Sequence, residues 1–143
     1  MEIAFPPLHP LIVHAAVVLL PLVAIGALVI VASPRGRERY GSLVAVGAIA
    51  AAGAVIGARL SGEVLAGTTS GIGTLGAHMF WGLIAPWPAT ALALAVSGYL
   101  VAGRGTNRTL QVTLAVVTVL TALAALAVVV ITGHLGATAV WVG

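Results

Sequence analysis

The sequence predicts an all-α integral membrane protein, a four-helix bundle, and three observations carry that prediction. Of the 143 residues, 61% are hydrophobic and only 6% charged, with a mean hydropathy of +1.20, whereas a soluble domain carries about 25% charged residues. Four apolar segments each run for about twenty residues or more, enough to cross roughly 30 Å of hydrocarbon. Two short arginine-bearing connections separate the first segment from the second and the third from the fourth. One four-span domain therefore accounts for residues 1–143.

The first span is predicted over 10–31. Pro10 suits a first helical turn, where its missing N–H costs nothing, and Pro21 is expected to kink the segment. Residues 33–39 read as a breaker-rich basic loop. The second span, 40–65, is mostly Ala, Gly and Val. Its Gly53 and Gly57 allow close helix approach, read as packing within the chain. An uncharged loop is expected over 67–73. The third span, 76–102, is interrupted by Pro86 and Pro88, with Trp81 and Trp87 in its first half. A second basic loop, 103–108, leads to the fourth span, 109–132, whose end Gly133 and Gly136 should loosen. Gln111, Thr118, Ala125 and Thr132 recur every seven residues along that span, a stripe suited to hydrogen bonds between helices.

Arginine in the two connections places them in the cytoplasm, and both termini and the 67–73 loop on the extracytoplasmic side of the cell (inner or plasma) membrane. The N-terminus has no basic leader region, so the first helix is expected to be retained. The pI near 10.7 arises from six arginines, five of them at these connections. That is a topology signal, and no nucleic-acid footprint. The absence of cysteine excludes disulfides, thiolate metal sites and thiol catalysis. With no aspartate and three glutamates, no hydrolytic constellation stands out, and no glycine-rich loop follows a strand.

This topology gathers His9, His14, His78 and His134 in the outer layer, beside Arg59 and Glu63. A lone interfacial histidine is often only an amphipathic anchor. Four on one side suggest ligands, because imidazole binds metals and haem iron, and ionisable groups at membrane depth usually serve a function. His9 and His14 are five residues apart, about 500° of helical turn, and so do not share a face. His9 precedes Pro10 and is expected outside the helix, as a cap, a propionate contact or a second ligand. His14 is expected to be the deeper and better fixed of the two. Gly82 lies one turn after His78, and Gly133 and Gly136 flank His134. Such gaps leave room for a flat macrocycle, or else for helix packing. Arg59 and Glu63 are spaced for an i,i+4 ion pair. Alternatively, Arg59 would meet haem propionates and Glu63 would ligate a metal.

Three readings follow. In the first, a b-type haem is held by His14 with His78 or His134, near Arg59. It would pass single electrons to or from quinol, a c-type cytochrome or an iron–sulfur protein. In the second, His14, His78, His134 and Glu63, with His9 nearby, hold a non-haem copper, iron or zinc ion. In the third, the chain is a cofactor-free accessory subunit of a larger respiratory membrane complex.

His-Pro-x-x-Val-His at the first span, Glu63 after the second, Ala-His at the third and Gly-His-Leu-Gly closing the fourth resemble a known family. It is the small predicted membrane protein family catalogued as domain of unknown function 2231. The resemblance covers essentially the whole chain from Leu8. His9, Pro10 and His14 carry the most specific motif. His78 matches the third-span histidine, Glu63 stands where an aspartate is frequent, and His134 matches some members. Gly82 departs from the polar residue usual there. The resemblance implies a four-helix membrane domain, sometimes joined to Rieske-type or cytochrome-like modules, company that suits a redox role.

Overall fold

The computed structural model describes residues 8–68 and 76–141, all of whose regular elements are helices. They are α1 (Leu8–Ala32), α2 (Pro34–Thr68), α3 (Gly76–Ile84), α4 (Pro86–Ala102) and α5 (Arg108–Trp141). The segments α3 and α4 follow end to end as one span, giving four helical runs long and apolar enough to cross a bilayer. Of the loop expected over 67–73, residues 69–73 lie outside the described residues, and α2 continues to Thr68.

The residues expected as a first basic loop are helical. Only Ser33 separates α1 from α2. Its hydroxyl accepts the Gly36 N–H at 3.1 Å, which satisfies an orphan donor of the new helix. Pro34 occupies the first helical position, where no N–H is needed. A Cβ at Gly36 would lie 3.2–3.3 Å from Val29 and Ser33, so a larger residue in this turn would require its neighbours to shift by a few tenths of an ångström. Arg35, Arg37 and Arg39 therefore stand on the first turns of α2. The second connection is a true loop, and Asn107 Oδ1 caps α5 by accepting the Leu110 N–H at 3.0 Å. Gly133 and Gly136 do not end α5, which continues through both.

Pro21 lies within an unbroken α1. At the α3–α4 junction Pro86 and Pro88 have no N–H to donate, and the Ala89 N–H reaches Ala85 O only at 3.4 Å. The prolines thus separate a peripheral segment, α3, which has no buried residue, from α4, which has eight.

Glycine positions fix the register. A Cβ on Gly26 would approach Val44 to 2.9 Å, one on Gly47 would approach Val23 to 3.0 Å, and one on Gly57 would reach Ile12 at 3.4 Å. Small residues from each helix of the antiparallel α1–α2 pair thus admit side chains of the other. Gly41 receives Leu100 of α4 in the same way, and Gly98 faces Leu114 of α5. The expected pair of Gly53 and Gly57 divides: Gly53 is exposed, and a Cβ on it would meet none of the described residues within 4 Å.

Leu20, Ile30, Leu92, Val96 and Thr118 are the largest fully buried side chains, set among alanines. Outward-facing residues such as Leu22, Leu43, Leu94 and Leu120 are apolar as well, as lipid requires of a membrane bundle. Among the described residues, the threonine hydroxyls of the seven-residue stripe on α5 do not bond between helices. Thr118 and Thr132 hydroxyls donate to Leu114 O and Val128 O of their own helix, each at 2.7 Å. That back-bond satisfies a hydroxyl in apolar surroundings without a partner helix.

At the arginine end, Arg37 Nη1 donates to the buried Tyr99 hydroxyl at 3.2 Å, and that hydroxyl donates to Ile30 O at 3.4 Å. One tyrosine on α4 thereby ties α2 to α1.

Candidate functional site

The opposite end of the bundle carries the histidines. His9 lies inside α1, and the expectation that Pro10 would hold it outside the helix is corrected. Pro10 falls within the first turn, where its missing N–H interrupts no helical bond. From there the imidazole faces α2, with Nδ1 3.0 Å from Ser61 Oγ. The Ser61 hydroxyl donates to Ala58 O at 3.1 Å, so its oxygen is left to accept and His9 Nδ1 carries the proton. The ring rests on Gly62, where a Cβ would come within 3.0 Å of it.

His78, on the first turn of α3, is held in the same manner by α5. Its Nδ1 lies 3.0 Å from Thr132 O, and a carbonyl can only accept. Its ring fills the space over Gly136, where a Cβ would stand 3.0–3.1 Å from it. The gap at Gly136 is thus a seat for His78 and is not open to a macrocycle, whereas a Cβ on Gly82 or Gly133 would meet none of the described residues within 4 Å. His9 and His78 lie within electrostatic reach of each other.

His14 reverses its expected standing relative to His9. It is exposed, and its Nδ1 donates to Pro10 O one turn back at 2.6 Å. Once the His9 side of α1 faces α2, five residues of helical rotation carry His14 away from that contact. His134 is exposed on α5. Arg59 Nε and Glu63 Oε1 pair at 3.0 Å, with both side chains substantially exposed. Either group must leave the other before taking a cofactor role, at a cost of about 1 kcal/mol or less.

In their neutral forms His9, His14 and His78 are thus fixed with Nδ1 protonated and Nε2 bearing the free lone pair. That is the state in which a protein-held imidazole binds iron or another metal, the second nitrogen being occupied by a carbonyl or similar acceptor. Among the described residues, no three His, Asp or Glu side chains group where they could hold one metal ion.

A model of a family described as predicted membrane protein, DUF2231, matches residues 5–143. The chain belongs to the DUF2231 family. The resemblance read from His9, Pro10, His14 and His78 is confirmed, and the fold of this DUF2231 protein is the four-span helical domain described above. No curated protein and no solved structure matches the chain. Sequence reading missed Ser61, Gly62 and the Thr132 carbonyl, the groups that orient the two histidines. Counting symmetrically from a turn at Ser33 sets His9 opposite Gly57, whereas the helices pair with Gly62 against His9, an offset that residue spacing alone does not give.

Proposed function

We propose that this DUF2231 protein is a membrane redox protein whose histidine end holds a b-type haem, with His9 and His78 as the favoured axial pair. One observation carries the reading: each imidazole is anchored through Nδ1 to a neighbouring helix, which leaves Nε2 to ligate. A haem asks the protein for only two such nitrogens. An ion held by protein alone commonly needs three or four, and no group of three is assembled among the described residues. The residues present therefore fit a haem by donor chemistry, and Gly82 and Gly133, which no described residue fills, are compatible with a planar group.

When bound, the haem would supply one-electron chemistry. Ser61 and Thr132 would hold the imidazoles in their ligating tautomer, while Gly62 and Gly136 would fix where the rings sit. Arg59 would offer its guanidinium to propionates after releasing Glu63. His14 and His134 would line the same end. Because the arginines crowd the other end, the histidine end belongs on the extracytoplasmic side. Quinol, a c-type cytochrome or an iron–sulfur protein is then the class of electron partner.

The test is a reduced-minus-oxidised visible spectrum of the full-length, detergent-purified protein, produced with ample haem. A sharp α band with a Soret shift, lost in His9→Ala and in His78→Ala, is the expected result. A featureless spectrum from folded protein would reject the haem. Elemental analysis of that sample would then separate a copper, iron or zinc protein from a cofactor-free subunit.

A further inference from the structure

The arginine end holds a feature that the redox reading does not use. An open groove of about 270 Å³ runs between Val31 of α1 and the Val112, Ala115, Val116, Val119 and Leu120 side of α5. Its walls are almost wholly apolar. Val112 also borders a second, more polar hollow formed with Arg108, Thr109 and Thr113. One continuous surface thus passes from a cationic, hydroxyl-bearing mouth into an apolar channel.

We propose that this surface is a binding site for one anionic phospholipid, its phosphate on Arg108 with Thr109 and Thr113, and an acyl chain lying along α5. Two observations commit the groove to that occupant. The first is charge. This end bears Arg35, Arg37, Arg39, Arg104 and Arg108 against Glu38 alone, and Arg108 has no carboxylate within ion-pair distance among the described residues. The second is length. From Arg108 to Leu120 the helix rises about 18 Å, close to half of the roughly 30 Å hydrocarbon thickness, which is the reach of one leaflet's chain.

The experiment is native mass spectrometry of the delipidated full-length protein in detergent. Phosphatidylglycerol is titrated against phosphatidylcholine of identical acyl chains. One phosphatidylglycerol is expected to be retained in preference to phosphatidylcholine. Arg108→Gln should weaken that retention about tenfold or more, the scale of a charge-assisted hydrogen bond. Ala115→Phe, which fills the channel, should weaken both lipids while the protein's melting temperature shows it folded. Arg35→Gln removes the same charge from the same end but outside the groove, and should leave retention within about twofold of wild type. Equal retention of the two lipids, or an equal loss in Arg35→Gln and Arg108→Gln, would overturn the site in favour of diffuse attraction by the basic end.

Discussion

The imidazole of His78 occupies the volume that any residue larger than glycine would claim at position 136. A Cβ there would lie 3.0 Å from Cε1 and 3.1 Å from Nδ1 of the ring, whose Nδ1 is already committed to Thr132 O. Because α3 has no buried residue, this contact is a principal point at which the segment is fastened to α5.

Gly136→Ala should therefore push the ring off its seat and lower stability by about 1–2 kcal/mol through overpacking and a weakened hydrogen bond. Detergent melting curves followed by tryptophan fluorescence would read this, since Trp81 lies on the same short segment. In a His78→Ala background the alanine should be tolerated. An equal loss in both backgrounds would show that Gly136 does not seat the histidine.

Two glycines offer an internal contrast. Gly26 faces the stiff, β-branched Val44 at 2.9 Å from a would-be Cβ, while Gly53 faces open space. Gly26→Ala is expected to destabilise the bundle by about 1 kcal/mol net, and Gly53→Ala to be neutral or stabilising by up to about 1 kcal/mol. Unfolding midpoints of the two variants in mixed micelles decide the matter.

Tyr99→Phe removes the hydroxyl that joins Arg37 to Ile30 O but keeps a ring beneath the Arg37 guanidinium, which stands 5.6 Å from its centroid. The cation–π attraction should survive. A loss of about 1 kcal/mol is expected from the two long hydrogen bonds, and Arg37→Gln should cost more. The comparison is again one of melting curves.

The chain lacks cysteine, so single cysteines report sidedness cleanly. Glu63→Cys should react with a membrane-impermeant maleimide in intact spheroplasts, and Arg35→Cys only after lysis. The reverse pattern would place the histidine end in the cytoplasm.

Much of the fold was legible because apolar segments of spanning length leave few alternatives. The third span's limits, set by Gly76 and by Gly103, match the helices closely. Local chemistry misled where tertiary packing overrode it. Ser33-Pro34 followed by alternating arginines resembles a loop, yet a capping serine and a first-turn proline are also how a helix begins, and α2 uses them so. Likewise, His-Pro suggested an extended His9, but a ring seated on Gly62 and bonded to Ser61 keeps that residue helical. Identity and spacing showed which residues bear imidazole nitrogens at this end. They did not show which nitrogen each would present, because that depends on the carbonyl or hydroxyl of another helix.

The one-residue connection at Ser33 bears on how the protein is made. Two spans so joined cannot enter the bilayer separately, since neither leaves a tether long enough for the other to wait in water. They should insert as a helical hairpin, with their interlocked glycines meeting during entry. As chains emerge from the ribosome N-terminus first, half of the bundle, including the seat of His9, can be in place before α5 is synthesised. His78, whose anchor lies on α5, gains its own only once that helix has been made.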